Sequence, residues 1–274
     1  MNFFLKLIII HKFSCLNFDS MMKLVQKSVF FACLLSFIGC KDKKTIDDPV
    51  ETKVPQVKII LDPVYDQLPL ALDQTIFETD EGYRLKLREF KIYFTDLNNQ
   101  GEQLADAALY NLSNSNTVLL KNGDFTKFGN LSFNIGVSEA NNHADPSAFP
   151  NNHPLNIINA NDMHWSWNPG YIFFKIEMIA DTLNDGVDNF NHIVSYHVGQ
   201  DTCLRTVSLT NLNWSKVSQY VDQLRLKVDF KKLLNNAGST IDIKTESVTH
   251  SAPETMELSN KLATNFKNAL SAWE

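Results

Sequence analysis

The chain has 274 residues, 44% of them hydrophobic and 20% charged, and a formal net charge of −6. These values suit a globular protein with a real core, in one large domain or two small ones. The acidic balance and the lack of a long Lys/Arg block argue against a nucleic-acid partner.

Two apolar runs open the chain. The first is Phe3 to Ile10. A chain rarely needs two export signals in series, so residues 1–20 read as an upstream extension, with translation starting at Met21 or Met22. Residues 21–40, MMKLVQKSVFFACLLSFIGC, then read as a lipoprotein signal peptide. Lys23 and Lys27 form its basic start, Val29 to Ile38 its apolar run, and Gly39-Cys40 its cleavage site. The run is too short to cross a bilayer. The Cys40 thiol would carry diacylglycerol and anchor the protein to a cell-envelope membrane, the outer membrane being the expectation. Charged, Pro-bearing residues 41–56 read as a flexible tether. After processing, Cys40 and Cys203 are the remaining cysteines, so the mature domain has one free thiol and no internal disulfide. There is no C-x-x-C-H, hence no covalent c-type haem.

From residue 57 the pattern is short runs of period-2 alternation. Strands are expected at 57–61, 83–97, 131–137, 171–179, 192–199, 206–210 and 224–230. Asn, Gly and Asp clusters such as NNQG, KNGD and NNAGS separate them. Many strands with turn signals between them predict an all-β antiparallel sandwich or barrel. Helical spacing appears only at the end, where Met256, Leu258, Leu262, Phe266 and Leu270 predict a helix within 254–273. One domain, 57–274, accounts for this pattern.

The Asn- and Pro-rich stretch 138–161, SEANNHADPSAFPNNHPLNIINAN, is too long for a turn, and loops of that kind are disproportionately functional. It runs into DMHWSWNPGY (162–171), which holds two of the four Trp residues. Five of the seven His lie between 143 and 197. If 163–167 is extended, Met163, Trp165 and Trp167 share one face and His164 and Ser166 the other. In the 192–198 strand, Val194, Tyr196 and Val198 oppose Ile193, Ser195 and His197. Imidazoles with a thioether nearby suit copper, Cu(I) above all. Zinc accepts imidazoles too, but no H-E-x-x-H or paired C-x-x-C is present. Structural His and a Trp core explain the same residues without a metal. No G-x-S-x-G occurs, and a lone Cys203 near His197 is a weak protease signal.

The motifs Gly136-Val137, Asn142-His143-Ala144-Asp145, Pro154-Leu155-Asn156, Met163 to Tyr171 and Tyr196-His197-Val198-Gly199, in this order, resemble the MbnP-like copper-binding family. The resemblance covers most of 57–274. It implies an immunoglobulin-like or Greek-key β-sandwich that binds copper, Cu(I) or Cu(II), without turning over a substrate. It implies His143 and His197 as first metal ligands, with His164, Met163, Trp165 and Trp167 around them. One of the two Trp residues would be oxidised to kynurenine, whose aryl amine is a donor nitrogen that indole lacks. A dihaem cytochrome c peroxidase-like partner would carry out that oxidation. Cys203 falls where one family branch has a cysteine, but the partner cysteines of that branch are missing. The alternative expectation is a surface-lipoprotein module that binds glycan or protein with no metal.

Overall fold

The computed structural model describes residues 53–123, 128–160, 162–165, 170–183 and 185–273. Cys40, the signal peptide, Trp167 and most of the tether lie outside the described residues. The principal strands are β1 (Gln56–Tyr65), β2 (Arg84–Asn99), β3 (Glu102–Asn111), β4 (Thr117–Asn122), β5 (Leu131–Ile135), β6 (Ile172–Asp181), β7 (His192–Gly199), β8 (Arg205–Leu209), β9 (Ser215–Ser218) and β10 (Val221–Asp229). Three helices join them, α1 (Glu139–Asn142), α2 (Phe230–Leu234) and α3 (Met256–Ala269). Among the described residues no helix is long and apolar enough to cross a membrane.

The strands form a β-sandwich. A six-stranded sheet runs β9–β10–β1, with β4, Leu68–Pro69 and Leu270–Ala272 added to it. An eight-stranded sheet runs β8–β5–β2–β6–β7 and ends in Val248–Thr249, and β3 and Ile76–Glu78 also pair with β2. Alternation along β2 and β6 sends Phe90, Ile92, Phe94, Phe174 and Ile176 to the buried side. There α3 lays Phe266 against Phe90 and Phe174, with ring centroids 6.0 and 4.7 Å apart. Across the core, the Tyr110 hydroxyl of β3 donates to the Leu61 carbonyl of β1 at 3.1 Å.

Two pairings depart from an all-antiparallel arrangement. β1 and β10 run parallel over Gln56–Val64, and Val248–Thr249 runs parallel to β7. The near-continuous apolar run Ile59-Ile60-Leu61 is buried on both faces, as central parallel strands are. β3 and β4 were not foreseen either. EQLADAALYN is rich in Ala and acid, residues with little strand preference, and becomes a strand because Leu104, Ala107, Ala108 and Tyr110 are buried on the sandwich. The C-terminal helix forms as expected but stops at Ala269, and residues 270–272 pair with β10 instead.

The long stretch after β5 has a structural task. The outward face of β2 and β6, with the residue that precedes β6, carries Tyr93, Phe173 and Tyr171, all fully buried. The 138–165 segment lies over them. Its backbone carbonyls at Pro154 and Leu155 accept from the Tyr93 and Tyr171 hydroxyls. His153 pins it to Asp106 of β3 at 2.8 Å. A second small core therefore forms on the outside of the sheet. Gly136, at φ +107°, lets the chain leave β5 under the Phe173 ring, where a Cβ would sit 2.3 Å from a ring carbon. Gly136→Ala is expected to lower stability by about 2–4 kcal/mol, from the strained φ and the clash together. Urea unfolding of the two proteins measures it.

Candidate functional site

Met163, His164 and Trp165 form a short antiparallel hairpin with 170–172. His164 bridges Tyr171, Trp165 N–H donates to the Gly170 carbonyl at 3.1 Å, and Ile172 N–H donates to Met163 at 2.8 Å. Asp162, at φ 61°, turns the chain into this hairpin. Asp and Asn tolerate that left-handed backbone better than most residues. Its carboxylate lies 2.6 Å from Lys91 Nζ and 2.5 Å from Lys175 Nζ, and Glu89 closes the ring at 2.6 and 3.0 Å from the same two ammonium groups. Burial would raise the Asp162 carboxyl, but bonds from Lys175 and Lys91 outweigh it and hold the group below its usual range.

The hairpin delivers Trp165 onto β7. Gly199 has no side chain, and the Trp165 ring occupies the place of its Cβ, which would lie 2.5 Å from a ring carbon. Along β7, Ser195, His197 and Gly199 point to the same face. Two residues before Gly199 stands His197, whose Nε2 lies 2.5 Å from Glu177 Oε1, a carboxylate that also accepts from Ser195 at 2.9 Å. Two residues after it stands Asp201, which holds His143 Nε2 at 2.7 Å and accepts from Asn142 at 2.8 Å. Asn142 is buried and also accepts the Tyr171 N–H at 2.8 Å. In sequence, then, Trp165's seat on Gly199 is flanked by two carboxylate-held imidazoles. His250 adds a fourth ring, 4.7 Å from His197 between centroids.

The protonation pattern follows. The bond to Asp201, then its charge, raises His143 above the ordinary imidazole value. Burial would raise Asp201 and Glu177, yet hydrogen bonds, led by those from His143 and His197, keep both carboxyls low. Burial lowers His164, whose ring packs edge-on against Tyr171 at 4.9 Å, and so favours the neutral, lone-pair-bearing form. Burial also lowers His250, and the neighbouring His197 adds to that shift.

Of the residues expected from the sequence, His143, His197 and Trp165 are thus brought to one end of β7. Met163 is fully buried in the hydrophobic cluster. Trp167 is outside the described residues. Among the described residues no three His, Cys, Asp or Glu side chains are gathered as a group able to hold a metal ion. Asp201, Glu177, Ser195 and His250 were not foreseen. The i±2 spacing of Ser195 and Asp201 from the His-x-Gly motif is a signal for those two, while Glu177 and His250 arrive through strand pairing alone. Cys203 is buried and its thiol is pushed up to about 11 by that burial. It has none of the character of a nucleophile at neutral pH.

The family model MbnP matches residues 54–256. The chain belongs to the MbnP family. Among solved structures this MbnP-family chain is similar to MbnP from Methylosinus trichosporium, with 17% identity, a TM-score of 0.44, and coverage of 66% of this chain and 78% of that chain. A comparison with curated proteins returns no match.

Two outcomes are expected. The stability difference between the native protein and His143→Ala is largest between about pH 4 and 6.5. It closes as pH rises through the raised His143 pKa and as pH falls through the lowered Asp201 pKa; thermal unfolding across pH 3–9 reads it. Cys203 stays unreactive towards an aromatic disulfide reagent at pH 8 until the chain is unfolded.

Proposed function

We propose that this MbnP-family protein is an extracytoplasmic copper-binding lipoprotein that captures, holds or hands over copper without turning over a substrate. Lipid on Cys40 would keep it at the envelope membrane. The observation that carries the reading is that His143 and His197 each have Nε2 fixed by a carboxylate, the first by Asp201 and the second by Glu177, with Asp201 and His197 each two residues along the chain from the Gly199 seat of Trp165. Metal-ligating His residues use this device: one ring nitrogen bonds a carboxylate, which sets the tautomer and leaves the other for the metal. An imidazole donor set fits copper. His143 and His197 would offer Nδ1, and His164, held neutral, stands one residue from Trp165. Bound copper supplies a single-electron couple, and this chain's part is to fix the rings and shelter the ion.

The finer reading is that Trp165 or Trp167 becomes kynurenine through a dihaem cytochrome c peroxidase-like partner, giving an aryl amine beside the imidazoles. The glycan-binding alternative calls for an open indole face, which Trp165, buried against Gly199, does not offer.

Protein purified from its native envelope is expected to carry stoichiometric copper by elemental analysis. His143→Ala or His197→Ala should weaken that binding by about ten-fold or more, by analogy with the loss of even an outer-sphere partner. Peptide mass over 162–175 should show the kynurenine gain at one Trp. Absence of copper, with no uptake of added Cu(I) or Cu(II), would sink the reading.

A further inference from the structure

The stretch following Val248–Thr249 contributes a histidine that none of the sequence motifs includes. Val248 pairs with Ser195 and Thr249 with Tyr196 in parallel register. The next step of that ladder places His250 beside His197, and their rings lie 4.7 Å apart at 58°. The backbone on either side is bolted down. Thr249 is fully buried and its hydroxyl bonds Ser259 at 2.7 Å. Ser251, at φ 55°, accepts the Gly199 N–H on its hydroxyl at 3.0 Å. The residue that seats Trp165 is therefore hydrogen-bonded to the residue that follows His250.

We infer that His250 is a further metal-ligating residue of this site, its imidazole acting with that of His197 on one copper ion while Glu177 orients His197. The inference rests on the copper reading above. Two imidazoles on one ion, with metal–nitrogen bonds of about 2.0 Å, carry their rings at a separation near that seen here. His250 is exposed and His197 partly so, with a carboxylate already on His197 and the Trp165 seat two residues along β7.

The test uses the full chain and copper alone. Cu(II) is titrated into the native protein and into His250→Gln, with affinity read by competition against a chelator and nitrogen ligation read from the hyperfine pattern in electron paramagnetic resonance. His250 is exposed, so His250→Gln is expected to keep the native melting temperature in the absence of metal. The expected result is about a ten-fold or greater loss of affinity and one fewer coordinated nitrogen. Unchanged affinity and an unchanged nitrogen pattern in His250→Gln would overturn this inference and leave the copper reading standing. If the native protein itself takes up no copper, the copper reading falls and takes this inference with it. Glu177→Gln provides an independent arm. It keeps a hydrogen-bonding partner for His197 but removes the charge, and it should weaken copper without removing a nitrogen from the pattern.

Discussion

β6 is buried on both faces at its start. Phe174 and Ile176 face the sandwich core, while Tyr171 and Phe173 face outward and would be exposed if nothing covered them. Each such aromatic ring removed from water is worth roughly 2–3 kcal/mol at the usual area coefficient. This demand explains the long 138–165 segment. It supplies the cover, and the covered tyrosines repay it by donating to its backbone carbonyls, which a buried loop must otherwise leave unmet. The charged ring of Glu89, Lys91, Asp162 and Lys175 closes the border of the cover. Its charges alternate in sign, so every half-buried ammonium has two carboxylates and no charge is stranded.

The same cover builds the site. The chain leaves β5 at Gly136, makes one turn of α1 that presents Asn142 and His143, crosses the outer face, and re-enters through Asp162 into the Met163–Trp165 hairpin. Each step is fixed by a contact to the sheet: Asn142 to Tyr171 and Asp201, Asp162 to the two lysines, Trp165 to Gly199. The histidine-bearing loop and the Met163–Trp165 stretch are thus two ends of one cover, and the His-x-Gly strand is the surface on which Trp165 sits.

Much of this was legible in the residues. Alternation marks β1, β2, β5, β6, β7, β8 and β10, and it separates Val194, Tyr196 and Val198 from Ser195 and His197 correctly. Helical spacing finds α3. Burial of Met163 and Trp165, with His164 less covered, follows from the same alternation. The ordered motifs lead to the family. What stays hidden is what depends on pairing between distant segments. EQLADAALYN has no strand preference of its own, and a parallel register between β1 and β10 has no local signal. Glu177 and His250 meet His197 only because β6 and the 248–249 strand lie on its two sides. A reading of the chain one stretch at a time sees their residue types and not their neighbours.

The central claim is that carboxylate-held imidazoles at the end of β7 offer their remaining nitrogens to copper. Long-range proton–nitrogen magnetic resonance of the imidazoles, before and after Cu(I) loading, tests it most directly, since Cu(I) is diamagnetic and each ring nitrogen reports separately. The account predicts that His143 and His197 begin with Nε2 protonated and that Nδ1 of both moves on loading, while Nε2 stays bonded to Asp201 and Glu177. No copper-induced shift at Nδ1 of these two rings would contradict it.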